Sequence, residues 1–164
     1  MLAIQERLLT LQTRYEFIKC YALIDGLQYE HCLGEEIKKD ERTKPLFYQP
    51  EDTGIAFAGP WLKEMTLSPQ EDFDILIRLE NEAPGVSWLF SEWHYWELFY
   101  HLAKHLDIIL PDNKIALLRY YDPRVLIQLP HVLTKQHWLT IVSPLHEWRF
   151  CVNKKCHTMK PSDH

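Results

Sequence analysis

Apolar positions along this chain recur with two different periods, and the switches between them mark out the elements. Ile4, Leu8, Leu11 and Tyr15 fall at helical spacing, which predicts an amphipathic helix over 3–16. The run F-I-K-C-Y-A-L-I-D (17–25) stops at the turn dipeptide Asp25-Gly26 and reads as a buried strand. Residues 28–40 read as a helix with a charged end, and Leu46-Phe47-Tyr48 as a short strand closed by Pro50. Glu51 to Gly54 is a turn cluster, and Ile55 to Ala58 leads into the sharp bend Gly59-Pro60, followed by Trp61-Leu62. From 72 to 80, Phe73, Ile75, Ile77 and Leu79 alternate with Asp74, Leu76, Arg78 and Glu80; this favours a strand, with a short helix nearly as good a fit.

Beyond the break at Ala83-Pro84-Gly85, Val86 to Phe90 reads as a strand, and Ser91 is placed to cap a helix over about 92–107. That helix is rich in aromatics: Trp93, Trp96, Phe99, Ala103 and Leu106 form its expected core stripe. Ile115 to Tyr121 reads as a strand. Asp122-Pro123 is a strand-to-helix corner, because Asp is a preferred N-cap and Pro at the first helical position gives up no hydrogen bond. A helix over 123–133, a strand over 137–142 and an edge strand over 148–152 complete the pattern, and the polar residues 153–164 read as a fraying tail. Helices and strands alternate along the whole chain. The expected fold is therefore α/β, or α+β, with a mixed sheet flanked by helices, as one domain over 1–152 or one domain with two small lobes.

Composition narrows the function classes. The chain is 46% hydrophobic with six Trp, enough for a sizeable core. It has no apolar stretch long enough for a membrane span and no leader pattern at its start, so the expected location is the cytoplasm. A net charge of −5 argues against general nucleic-acid binding. The charge is uneven: residues 1–82 carry 16 acidic and 9 basic side chains, residues 83–164 carry 7 and 9. Such a split would suit two different partners. Four cysteines are too few for a disulfide scaffold, and Cys20 and Cys32 are expected to be reduced.

No catalytic constellation stands out. His101 and His105 have the spacing of a helical metal pair, but the glutamate of the zinc-protease motif is missing, and a solvated stripe with His94, Glu97 and Lys104 accounts for them. Cys151, Cys156 and His157, with His146 and His164 in reach, have unusual spacing for zinc; a buried Cys151 beside an exposed Cys156 is the simpler reading. There is no nucleophile elbow, no dinucleotide fingerprint and no phosphate loop among only five glycines. The expectation is that the protein is not an enzyme and needs no cofactor or metal. Asp122 reads as a helix cap paired with an arginine, while Arg119 and Arg124 are open to a partner.

Three motifs taken in order, Tyr21-Ala22-Leu23-Ile24-Asp25-Gly26, Gly59-Pro60-Trp61-Leu62 and Arg119-Tyr120-Tyr121-Asp122-Pro123-Arg124-Val125-Leu126, resemble those of the type VI secretion effector-adaptor family, first catalogued as a bacterial domain of unknown function. His101-Leu102 and Trp148 also sit where that pattern would place them, so the resemblance spans about residues 18–150. It implies a cytoplasmic adaptor that holds a toxic effector and helps load it onto the VgrG spike. It carries over no catalytic residues. Trp61, Trp93, Tyr95, Arg119, Arg124 and Trp148 are the candidate partner contacts, with Asp25, Gly59, Pro60, Asp122 and Pro123 as fold-defining positions. The rival readings are a small metal-dependent hydrolase or zinc protein, and an immunity-type toxin-binding protein.

Overall fold

Apolar side chains on both faces of the strand Cys20–Ile24 demand cover on both sides, and the fold supplies it. A computed structural model describes residues 3–163 of the protein. The chain runs α1 (Ala3–Gln12), β1 (Lys19–Asp25), α2 (Gly26–Leu33), β2 (Thr43–Pro45), β3 (Pro60–Glu64), α3 (Gln70–Glu82), β4 (Val86–Ser91), α4 (Tyr95–Lys104), β5 (Asp107–Ile109), β6 (Ile115–Leu117), α5 (Pro123–Leu126), α6 (Leu129–Val132), α7 (Lys135–Val142), β7 (Leu145–Val152) and β8 (Lys155–Met159). Six strands form one sheet in the order β2-β3-β1-β4-β7-β8, while β5 and β6 form a separate hairpin. The expected combination of helices and sheet is present, but among the described residues every strand pair is antiparallel, so the sheet is not the mixed one expected and the fold takes its α+β form.

Alternation along β1 divides the core. Cys20, Ala22 and Ile24, with Trp88 and Phe90 of β4, meet Ile4, Leu8 and Leu11 of α1 and Phe73, Leu76 and Leu79 of α3. Tyr21 and Leu23, with Leu89 and Trp148, meet Leu98, Phe99 and Leu102 of α4 and Trp138 and Ile141 of α7. A strand covered on both faces is apolar at nearly every position, which is why β1 and β4 stand out in the sequence.

Several expected elements differ, each for a local reason. Residues 72–80 lie within helix α3, not a strand: Glu71 and Asp72 sit in its first turn, where the helix dipole favours them, and Phe73, Leu76 and Leu79 form a buried stripe. The helix expected over 28–40 starts at Gly26 and stops at Gly34, whose N–H closes the last turn on the Glu30 carbonyl and whose left-handed φ of 76° turns the chain out of the helix. The helix expected over 123–133 is split, because the Pro130 ring would clash with the carbonyl of Leu126. Residues 137–142 are helical: Thr134 caps α7 by accepting the His137 N–H at 3.1 Å, and Trp138, Ile141 and Val142 face inward. The strand expected at 46–48 lies at 43–45, and the one expected over 115–121 ends at Leu117. Strand β7 starts at Leu145 and runs between β4 and β8 rather than along an edge.

Nor is 153–164 a loose tail over its described part. Asn153 and Lys154 both take positive φ, 51° and 63°, forming the two-residue turn that matches the twist of a hairpin. Strand β8 then pairs back along β7, and a disulfide joins Cys151 and Cys156 directly across the two strands. His164 lies outside the described residues.

A motif junction and an aromatic groove

Two of the sequence motifs meet in one buried junction. Asp25 ends β1 and caps α2: its carboxylate accepts the N–H groups of Leu27 and Gln28 at 3.0 and 3.2 Å. The next residue must be glycine. The Gly26 N–H donates to the Gly59 carbonyl at 2.8 Å, and a Cβ at Gly26 would lie 2.0 Å from the Phe57 carbonyl oxygen and 2.9 Å from Trp61 Nε1. Trp61 Nε1 in turn donates to the Phe57 carbonyl at 3.1 Å. A Cβ at Gly59 would strike the Phe47 ring at 2.4 Å, and Pro60 begins β3, where Asp25 pairs with it.

The third motif packs beside this junction. Asp122 caps α5 by accepting the Arg124 N–H at 2.9 Å, and its two oxygens accept Arg124 Nε and Nη2 at 3.0 and 2.8 Å. The Arg119 guanidinium lies 5.7 Å from the centre of the Tyr121 ring. Burial raises the Asp25 carboxyl above its ordinary value, and nearby Asp122 adds to this; the Leu27 and Gln28 N–H groups and Arg119 pull the other way. Buried Asp122 thus holds exposed Arg124 at the surface, while exposed Arg119 lies by the Tyr121 ring.

The six candidate contacts fall into two groups. Trp93, Arg119 and Arg124 reach the surface. Trp61, Tyr95 and Trp148 do not, and as direct contacts they are corrected. Each spends its polar atom inside the core: Trp61 as above, Tyr95 Oη on the Leu62 carbonyl at 2.7 Å, and Trp148 Nε1 on Ser87 Oγ at 2.9 Å. A buried Tyr or Trp needs such a partner, and here two backbone carbonyls and a serine hydroxyl provide it.

Surface aromatics gather elsewhere, in a groove that the motifs do not mark. Tyr95, Leu98, Phe99 and Leu102 form the buried face of α4. Trp96 and Tyr100 lie one turn apart on an adjoining face, 46% and 51% exposed, with ring centres 5.8 Å apart. Tyr48 approaches from the loop after β2, 49% exposed, with its ring edge-on to Tyr100 at 5.6 Å. Phe47 and Phe99 also line the trough, whose volume is about 420 Å³, and Lys39 and Lys44 border it. The sequence reading placed Trp96 in the core stripe. The signal it missed was the excess of aromatics: Y-W-E-L-F-Y at 95–100 has more large rings than one helix face can bury.

The histidine and cysteine candidates are also placed. His101 Nε2 lies 2.9 Å from the Ile141 carbonyl, and its ring is edge-on to Trp93 and 4.7 Å from that of His105. Burial, with His101 and Lys104 close by, lowers His105 to about 4. Among the described residues the one group with metal-ligand spacing is Glu80, Cys151 and Cys156; the Cys151–Cys156 disulfide occupies both of its sulfurs, and Trp88 Nε1 donates to Glu80 at 2.6 Å. His157 is on the opposite face of the hairpin, stacked on Phe150.

The model of the family described as "Domain of unknown function (DUF4123)" matches residues 20–139. The chain belongs to the DUF4123 family. The match takes in all three motifs, the junction they build and both walls of the groove, and it leaves out α1, β7 and β8. No curated protein and no solved structure matches the chain. Among the described residues no helix is long and apolar enough to cross a membrane.

Proposed function

We propose that this DUF4123 protein is a non-catalytic adaptor that binds a type VI secretion effector and helps load it onto a VgrG-type spike, acting in the cytoplasm. The observation that carries the binding role is the exposed aromatic groove of Tyr48, Trp96 and Tyr100, since clustered surface Trp and Tyr are what binding hot spots are made of. The identity of the partners rests on the resemblance of the three motifs, in their order, to the effector-adaptor family. Arg124, held by buried Asp122, and Arg119, beside the Tyr121 ring, supply a second surface chemically unlike the groove, as a two-partner adaptor requires.

The test is an affinity pull-down of the tagged protein from the organism that encodes it, paired with a deletion strain. Recovery of a spike protein and one large effector is expected, with loss of effector secretion on deletion and no self-poisoning. Self-poisoning with normal secretion would favour the immunity reading, and recovery of neither partner from cells expressing the secretion machinery would overturn the adaptor.

A further inference from the structure

We propose that the groove between α4 and residues 45–56 binds an extended apolar peptide segment bearing acidic side chains, supplied by the adaptor's cargo. Only the source of the segment rests on the adaptor reading; its chemistry follows from the groove. Trp96 and Tyr100 form one wall, Tyr48 the other, with Phe47 and Phe99 also in the lining. The rings of Tyr48, Trp96, Phe99 and Tyr100 meet one another edge-on, tilted or stacked at 5.1–5.8 Å, so three half-exposed aromatics are already in place before any partner arrives. An aromatic trough of about 420 Å³ falls in the size range of peptide and ligand sites.

Charge selects among apolar occupants. Lys39 and Lys44 line the groove and no acidic side chain does; Glu51, Asp52 and Glu97 lie on the same elements but outside its lining. Among the described residues neither lysine takes part in an ion pair, whereas neighbouring Arg42 and Lys63 are held by Glu64 and Asp72. On a chain of net charge −5, two unpaired cations beside three open rings favour a carboxylate-bearing segment. They are too few to follow a nucleic-acid backbone, which takes a cation for each phosphate neutralised.

The test is panning of a phage-displayed random peptide library against the full chain. Expected is enrichment of aromatic or aliphatic sequences flanked by Asp or Glu. The double variant W96A/Y100A should bind synthetic copies of these peptides about tenfold or more weakly, as loss of two hot-spot side chains implies. The double variant K39E/K44E should turn the selection toward Lys- and Arg-bearing peptides. All four positions are outside the core, and near-ultraviolet circular dichroism with the thermal midpoint checks that the variants fold; Tyr48→Ala probes the opposite wall independently. No enrichment, enrichment that survives W96A/Y100A, or an acidic preference unchanged by K39E/K44E overturns the proposal. So does sedimentation showing that W96A/Y100A splits a dimer, since the groove would then be filled by a second copy. Failed panning leaves the adaptor reading standing, and a pull-down without effector or spike leaves the selected peptides standing.

Discussion

The junction at Gly26 and the groove at Trp96 are both rich in aromatics, yet they are opposites. At the junction every polar group has a protein partner: Asp25 holds two N–H groups, Gly26 meets Gly59, and Trp61 meets Phe57. In the groove three large rings stay half exposed, and among the described residues Lys39 and Lys44 take part in no ion pair. The difference teaches that the glycines, prolines and capping aspartates with the clearest sequence signature specify geometry, while the groove's rings carry only the weaker signal of an excess of aromatics. Asp-Gly, Gly-Pro and Asp-Pro are legible because backbone constraint demands those residue types. A binding surface demands only that something apolar stay outside.

The comparison can be broken hardest at Gly26. Gly26→Ala places a methyl group against two carbonyl oxygens and the Trp61 nitrogen, and should lower stability by about 3 kcal/mol or abolish folding, read by urea denaturation. An unchanged midpoint would mean the junction is loose. Asp122→Ala removes a helix cap and frees Arg124, and should lower stability by about 1–2 kcal/mol in the same assay.

Next in size is an effect of pH. His105 titrates near 4 in the folded chain, below the ordinary 6.5, because burial and its cationic neighbours disfavour its charged form. As pH falls from 6.5 toward 4 the unfolded chain takes up this proton and the folded chain does not, so stability present above 6.5 is progressively lost. His105→Gln should lessen that acid loss in thermal melts across this range; an identical profile would show that His105 is not the source. Smallest are Trp96→Ala and Tyr100→Ala, which should each shift stability by no more than about 0.5 kcal/mol. A larger loss would place these rings in the core and erase the contrast.

How far the sequence could be read follows the same division. The buried strands β1 and β4, the turn at Asp25-Gly26, the cap at Asp122 and the bend at Gly59-Pro60 were legible, since each has a steric or hydrogen-bonding cause carried by neighbouring residues; that Asp25 also caps α2 was not read. Helix α3 was ambiguous because Ile75 and Ile77 lie beside its buried stripe and mimic alternation. Trp148 was offered as a contact and is a core residue, because exposure depends on which elements pack over β7 and no local pattern records that. The β7–β8 hairpin was missed for a related reason: its turn has Asn153 but Lys154 where glycine would signal it.

The ends of the sheet carry one more consequence. Its outermost strands are β2, three residues long with Lys44 and Pro45, and β8, which begins at Lys155 and is followed by Lys160 and Pro161. Short borders with charge and proline are poor templates for a further strand. Under the adaptor function proposed above, the protein would meet exposed backbone of its cargo. With such borders the groove rings would be open to that cargo while the sheet offers it little to pair with.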